Sequence, residues 1–452
     1  MIIDADSRPS GASHTGRGTI GTLLLVALLA LGASYYYFHL LLPQARARNA
    51  EIGMAGGYAY GGDFYPIWLT TRELLRHHRD PYTRQITQEI QIGLFGRTMD
   101  WRRKTDPPAN FRAFVYPLYT DLLAAPLALL GFDRVRVGLG LLLPFLTAGG
   151  FVLWLEAFDL PVRRGTLAII IVLSLVSYPI LEGLYALQVG LFVGAILAAA
   201  VAALARGQNL FAGMLLAFAC VKPQLVWLLA IWLLLWAFSV WKRRRVFALS
   251  FIFTLTTLLL LSQIVLPGWV VAWWRAITQY PSYTLPPLTQ LVLGRFLGNA
   301  VGLAMLALAG AICWIARRRE PASAEFSLAV SFVLAVTIIL SPTGGAVYDQ
   351  VILIPAIFWL GARRAALLGG GFPIRVEWFA AVIVMSWQWF AASAVALLSV
   401  FFPVWARRPA VLVFPTRMAA PLPFAILALL SFFAVKLMRG EAMVESPLSE
   451  RS

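Results

Sequence analysis

The sequence predicts an all-α polytopic membrane protein with about twelve transmembrane helices. Two observations carry that reading. Of 452 residues, 60% are hydrophobic and only 13% charged, a balance too apolar for a soluble enzyme. The basic residues, moreover, come in small clusters at the ends of apolar runs: Lys242 to Arg245, Arg317 to Arg319, and Arg363 with Arg364. A net charge of +16 spread over one face would suit nucleic acid, but clusters placed this way follow the positive-inside rule, so no nucleic-acid partner is expected.

Taken in order, residues 1–18 read as a cytoplasmic disordered tail and 19–440 as a single transmembrane domain, with a second cytoplasmic tail at 441–452. The first span, 19–42, is long enough to cross roughly 30 Å of hydrocarbon and too long for a signal-peptide core. It reads as a retained helix, although Ala45 to Ala47 has the form of a cleavage site. Twelve further candidates follow at 112–131, 137–158, 166–185, 187–205, 208–221, 223–241, 246–266, 291–316, 325–341, 347–362, 375–400 and 420–438. With both termini in the cytoplasm the number must be even, so one candidate is not a full crossing. The conflict lies early, because the pairs Arg134/Arg136 and Arg163/Arg164 cannot both be cytoplasmic across a single span. Either 112–131, interrupted by Pro117 and Pro126, is re-entrant or broken, or one basic pair lies outside. Twelve crossings put residues 43–111, 267–290 and 401–419 on the extracytoplasmic side.

The first of these loops carries the stretch GGDFYPIWLTTRELLRHH. Gly61 and Gly62 permit a sharp turn, after which a helix opens at Asp63 with Pro66 in its first turn. Ile67, Trp68, Thr71, Leu74 and Leu75 share one face and Thr70, Arg72, Glu73, Arg76 and His77 the other, which predicts an amphipathic juxtamembrane helix on the membrane surface. Asp63 has two competing roles. As an N-cap its carboxylate bonds the first free amides; as a general base at the lipid boundary it removes a proton from a hydroxyl acceptor.

Deeper in the chain, Lys222 interrupts two apolar runs and is followed by the helix-breaking Pro223. An ammonium at that depth needs a partner, a phosphate being an apt one, or must snorkel to an interface. Glu182, Tyr185 and Gln188 fall near one span end, and Tyr348 and Asp349 near another, on the same outer side as Asp63. Arg275 and Arg295 flank the loop in WWRAITQYPSYTLPPLTQLVLGR, there to bind a lipid phosphate or to sit among headgroups. Glu156 and Asp159 read as interface residues. Cys220 and Cys313 lie in apolar runs, and no zinc spacing, P-loop or nucleophile elbow occurs, so no metal or organic cofactor is expected; a divalent ion is left open.

Three stretches together, GGDFYPIWLTTRELLRHHRDPYT, FRAFVYPLYTDLLAAPLALL and the run from LEGLYALQVG through FACVKPQLVW, resemble glycosyltransferase family 87, the DUF2029 integral-membrane proteins that include phosphatidylinositol mannoside mannosyltransferases. The resemblance covers roughly residues 20–400. It implies a GT-C-like fold with its active site on the extracytoplasmic face of the plasma (inner) membrane. It also implies an inverting transfer of a hexosyl group, mannosyl in similar proteins, from a polyprenyl-phosphate sugar donor to a glycolipid or cell-envelope glycan acceptor. The family's acidic first-loop residue corresponds to Asp63, the expected base, and the Lys-Pro lysine to Lys222, with donor-phosphate binding inferred for it. Arg72 and Arg97 are candidates for stabilising the leaving phosphate. Tyr65, Tyr116, Glu182, Gln188, Tyr348 and Asp349 are candidates for the acceptor or cavity wall. Some relatives carry Trp and His after the late Ser-Pro where this chain has Tyr348 and Asp349, so sugar and acceptor stay open. The rival reading is a transporter or flippase of a lipid-linked sugar. Alternating inward and outward openings would favour that rival.

Overall fold

The computed structural model describes residues 12–54, 59–100, 102–103, 106, 111–342 and 346–441, with 12–19 described by backbone alone. Every regular element among them is helical. The chain opens with α1 (Ala12–Tyr35), a π-helical turn (Tyr36–Leu41) and α2 (Leu42–Glu51). Residues 12–18, expected in a disordered tail, therefore belong to the first helix, and the span continues past its expected end at 42 to Glu51. The rest of the N-terminal tail, and the C-terminal tail beyond Glu441, lie outside the described residues.

The first loop folds into α3 (Tyr65–His77) and α4 (Arg84–Phe95), followed by an extended segment and α5 (Tyr119–Ala128). Ten residues of α-helix are about 15 Å long, half the hydrocarbon thickness, so α5 alone does not cross. The amphipathic pattern of α3 does not account for everything that the helix buries. The helix packs on α5, burying Thr70 from the expected polar face together with Ile67, Trp68, Thr71 and Leu74. The cause is Asp121 on α5, a fully buried carboxylate whose Oδ1 lies 2.9 Å from the Thr70 hydroxyl and 3.0 Å from that of Thr71. A buried carboxylate needs such partners, and α3 supplies one from each of its two expected faces.

Next come α6 (Phe132–Ala157), α7 (Arg164–Leu175), α8 (Tyr178–Ala186), α9 (Val189–Ala205), α10 (Asn209–Ala219), α11 (Pro223–Ser239), α12 (Trp241–Val265), α13 (Trp269–Gln279), α14 (Leu288–Ala316) and α15 (Ala324–Leu340). A 3₁₀ segment (Val347–Leu353), α16 (Ile354–Ala362), α17 (Arg364–Leu368), α18 (Phe372–Phe401) and a last long helix, Leu422–Met438, complete the domain. Helices α9 and α15 form the buried centre: α9 packs on α6 and α10, and α15 on α11, α14 and the last helix.

Among the described residues, six helical stretches are long and apolar enough to cross a membrane, or seven if α7 and α8, bent by 62°, form one span. Twelve were expected. The difference arises because hydropathy registers apolar runs whether or not the helix is broken. Helices α9, α11 and α15 have 17 residues each, about 25 Å, and α10 has 11, about 16 Å. Two of the basic clusters meet at one end of the molecule. The buried Arg244 guanidinium donates to the carbonyls of Arg317, Arg318 and Arg319, satisfying the C-terminus of α14, while Arg243 pairs with Glu320.

Candidate functional site

At membrane depth, polar side chains belong where helices break, because the break releases backbone groups that only protein or water can satisfy. Five such breaks converge here. The turn before α3 supplies Asp63 and the extended segment before α5 supplies Arg112. The α8/α9 junction supplies Gln188, the α10/α11 junction Lys222, and the 3₁₀ segment Asp349.

Each position has a local cause. Gly61, at φ 78°, takes the left-handed backbone that a side chain disfavours. This lets the Gly61 and Asp63 amides donate to the carbonyls of Tyr185 (2.9 Å) and Ala186 (3.2 Å) at the end of α8. Leu187, also left-handed, then reverses the chain so that Gln188 opens α9 beside Asp63. The extended segment is pinned along its length. Its Phe111, Val115 and Tyr116 carbonyls accept from Gln91, Trp273 and Tyr82 at 2.8, 3.0 and 2.8 Å. At Pro223 the Cys220 carbonyl, freed by the break, accepts from the Tyr119 hydroxyl at 2.7 Å. Gly190 leaves room for what faces it, since a Cβ there would come within 3.3 Å of Lys222 Nζ and closer still to Asp349 Oδ1.

The five side chains form one line. Arg112 donates to Asp63 Oδ1, and Gln188 Nε2 donates to Asp63 Oδ2 at 2.7 Å. Lys222 Nζ donates to Gln188 Oε1 at 3.3 Å and to Asp349 Oδ1 at 2.6 Å. The chemistry of the neighbours fixes the Gln188 amide: the ammonium only donates, so it must meet the oxygen, and the carboxylate only accepts, so it meets the NH₂. Asp63 therefore does not cap α3. The N-cap position is Phe64, without a side-chain bond, and Asp63 spends both oxygens on Arg112 and Gln188.

A cavity of about 250 Å³ opens against one end of this line. Its wall includes Asp63, Arg112, Tyr116, Gln188, Tyr280 and Tyr348. Asp63 is the only carboxylate and Arg112 the only cation in that wall among the described residues. Lys222 and Asp349 stand behind it with side chains 4% and 1% exposed, the ammonium lying 5.3 Å from the Tyr348 ring. Burial pushes the Tyr116 and Tyr280 phenols well above their ordinary range, with the Asp63 charge adding to the effect, so both present neutral hydroxyls.

The remaining candidates do not line the cavity. Tyr65 packs on Trp68 and Phe132, and Arg72 lies over the Trp68 ring at 5.5 Å. Arg97 is tied to Asp106 and to the Gly53 and Ile52 carbonyls, so its charge clips the first loop together. Glu182 accepts from the Tyr37 hydroxyl at 2.8 Å, and Glu156 pairs with Arg206. Arg275 and Arg295 are exposed on α13 and α14, away from the cavity wall. Sequence reasoning passed over Arg112, Tyr280 and Tyr283. The usable signal for Arg112 was a lone arginine opening the otherwise apolar stretch FRAFVYP.

The model of glycosyltransferase family 87 matches residues 114–342, which include Tyr116, Gln188 and Lys222. Asp63, Arg112 and Asp349 lie outside the matched stretch and join it through the hydrogen bonds just described. No curated protein and no solved structure matches the chain. With half of its length matched and its helices apolar enough to span a bilayer, the chain belongs to glycosyltransferase family 87 and is a membrane glycosyltransferase.

Proposed function

We propose that the protein transfers a hexosyl group, mannosyl in the simplest case, from a polyprenyl-phosphate sugar to a hydroxyl of a glycolipid or cell-envelope glycan, with inversion and with Asp63 as general base. The observation that carries this reading is the single carboxylate in the cavity wall, held by Gln188 on one oxygen. In the reaction the acceptor oxygen attacks the anomeric carbon as its proton passes to Asp63. The bond from that carbon to the phosphate oxygen breaks, and the electron pair leaves with the prenyl phosphate. A donor with an isoprenoid tail approaches from the bilayer, which suits a cavity set among apolar helices.

The cavity belongs, on this reading, to the extracytoplasmic side of the plasma membrane. The clusters around Arg244 and Arg317 to Arg319 mark the opposite, cytoplasmic side. Helices α10 and α11 form an unequal pair of arms whose turn, at Lys222, stays below the outer surface. The lysine acts there as a fixed charge beneath the cavity floor.

The test is transfer of label from radiolabelled polyprenyl-phosphate mannose to a membrane lipid extract by purified protein. Wild type should transfer, and Asp63→Asn should be slower by about 10² to 10⁴, the usual worth of a general base. Equal rates for the two would remove Asp63 from the chemistry.

A further inference from the structure

Asp63 meets a difficulty as a base. Both of its oxygens are already engaged, Oδ1 by the Arg112 guanidinium and Oδ2 by Gln188 Nε2, so an acceptor hydroxyl approaching from the cavity meets an occupied carboxylate. A leaving prenyl phosphate also needs a cation, and none of the five expected sources lines the cavity: Lys222 is sealed against Asp349, Arg97 is bound to Asp106, Arg72 lies over the Trp68 ring, and Arg275 and Arg295 are exposed away from the wall. Among the described residues, Arg112 is the cation that faces the cavity, with its side chain 29% exposed against 12% for Asp63.

We propose that Arg112 is the ligand of the donor phosphate, and that it binds the phosphate by exchanging out of its ion pair with Asp63, so that the base is unmasked only when the donor is in place. This rests on the transferase reading and assigns a second residue to the same site. Three features favour an exchange over a fixed pair. Asp63 keeps the Gln188 bond at 2.7 Å when the guanidinium leaves, so the carboxylate stays oriented. The backbone of the 111–116 segment is pinned by Gln91, Trp273 and Tyr82, so the motion is confined to the Arg112 side chain. Arg112 also holds a left-handed backbone at φ 53°, a conformation that is costly for a residue with a side chain and that aims this one at the cavity wall.

The exchange couples binding to chemistry. The donor phosphate, a diester, leaves as prenyl monophosphate with one more negative charge as the bond to the anomeric carbon breaks, and the planar guanidinium meets two phosphate oxygens at once as that charge grows. Meanwhile the Asp63 oxygen given up by Arg112 takes the acceptor proton and later releases it to water. Without a donor, the ion pair keeps the base from acting on a stray hydroxyl.

The test is equilibrium binding of decaprenyl monophosphate to the purified full-length protein in lipid nanodiscs, with decaprenol as the uncharged control. Asp63→Asn removes the competing carboxylate while keeping its shape, so it should bind the phosphate about tenfold more tightly than wild type. Arg112→Gln should lose about tenfold or more, and Arg112→Lys should recover part of that loss, because an ammonium replaces the charge but not the fork. Decaprenol should bind all four proteins alike, which also reports that each is folded. Phosphate binding that is no tighter in Asp63→Asn overturns the exchange, and binding indifferent to residue 112 overturns Arg112 as the ligand. If neither wild type nor Asp63→Asn prefers the phosphate to the alcohol, the prenyl-phosphate donor class itself fails.

Discussion

The line from Arg112 to Asp349 has an ion pair at each end, and the two ends differ in what surrounds them. Arg112 and Asp63 stand in the cavity wall with side chains 29% and 12% exposed, whereas Lys222 and Asp349 are sealed at 4% and 1%. The difference decides what each pair can do. A charge that substrate can reach can exchange partners during a reaction, but a sealed pair cannot be parted without leaving an uncompensated charge in low dielectric. The sealed pair is therefore scaffold. It orients Gln188 through one oxygen, and Gln188 in turn orients Asp63.

This contrast can be broken at the sealed end. Lys222→Met takes the ammonium away from the buried Asp349 carboxylate, which should cost about 3 to 5 kcal/mol of stability. The double variant Lys222→Met/Asp349→Leu should recover most of that loss, both read as thermal unfolding in detergent. A single variant as stable as wild type would mean that the pair is not desolvated. A smaller effect comes from Gly190→Ala, where the added methyl must push Asp349 off Lys222; about 1 to 3 kcal/mol is expected. An unchanged melting temperature would show that α9 can shift away from the pair.

The smallest effect sharpens the comparison from outside both ends. The Arg97 guanidinium, through its hydrogen bonds, holds the Asp106 carboxyl down to about 2. Because the folded value lies below the unfolded value of about 3.9, this clip is at full strength above that pH and is lost as pH falls toward 2. Wild-type protein should accordingly lose first-loop protection in hydrogen exchange between about pH 4 and 2, and Asp106→Asn should lose that pH dependence. An Asp106→Asn protein with the wild-type profile would assign the transition to other carboxylates.

The sequence marked where polar residues interrupt the apolar helices better than it marked what they pair with. Four of the five breaks have a local mark: Pro223 after Lys222, Gln188 before a run of small residues, Ser341-Pro342 ahead of Asp349, and paired glycines before Asp63. Those marks placed the polar residues without pairing them, because the pairs join positions 125 and 127 residues apart, which no local pattern specifies. That is why Lys222 looked like a charge awaiting a phosphate. The crossing count meets the same limit, since a hydropathy window does not distinguish a straight span from two short arms meeting at a proline. The amphipathic pattern of α3 misled for a related reason: the partner of Thr70 is a buried Asp121 some fifty residues away.

The central claim, that one end of the line does chemistry and the other is scaffold, is tested most directly by comparing turnover per folded molecule in Asp63→Asn and in Lys222→Met/Asp349→Leu. With saturating polyprenyl-phosphate sugar, the account predicts a loss of about 10² or more for Asp63→Asn. The double variant should stay within about tenfold of wild type, the cost of a less rigidly held Gln188. The reverse order, with transfer surviving loss of the Asp63 charge and vanishing with the sealed pair, would contradict it.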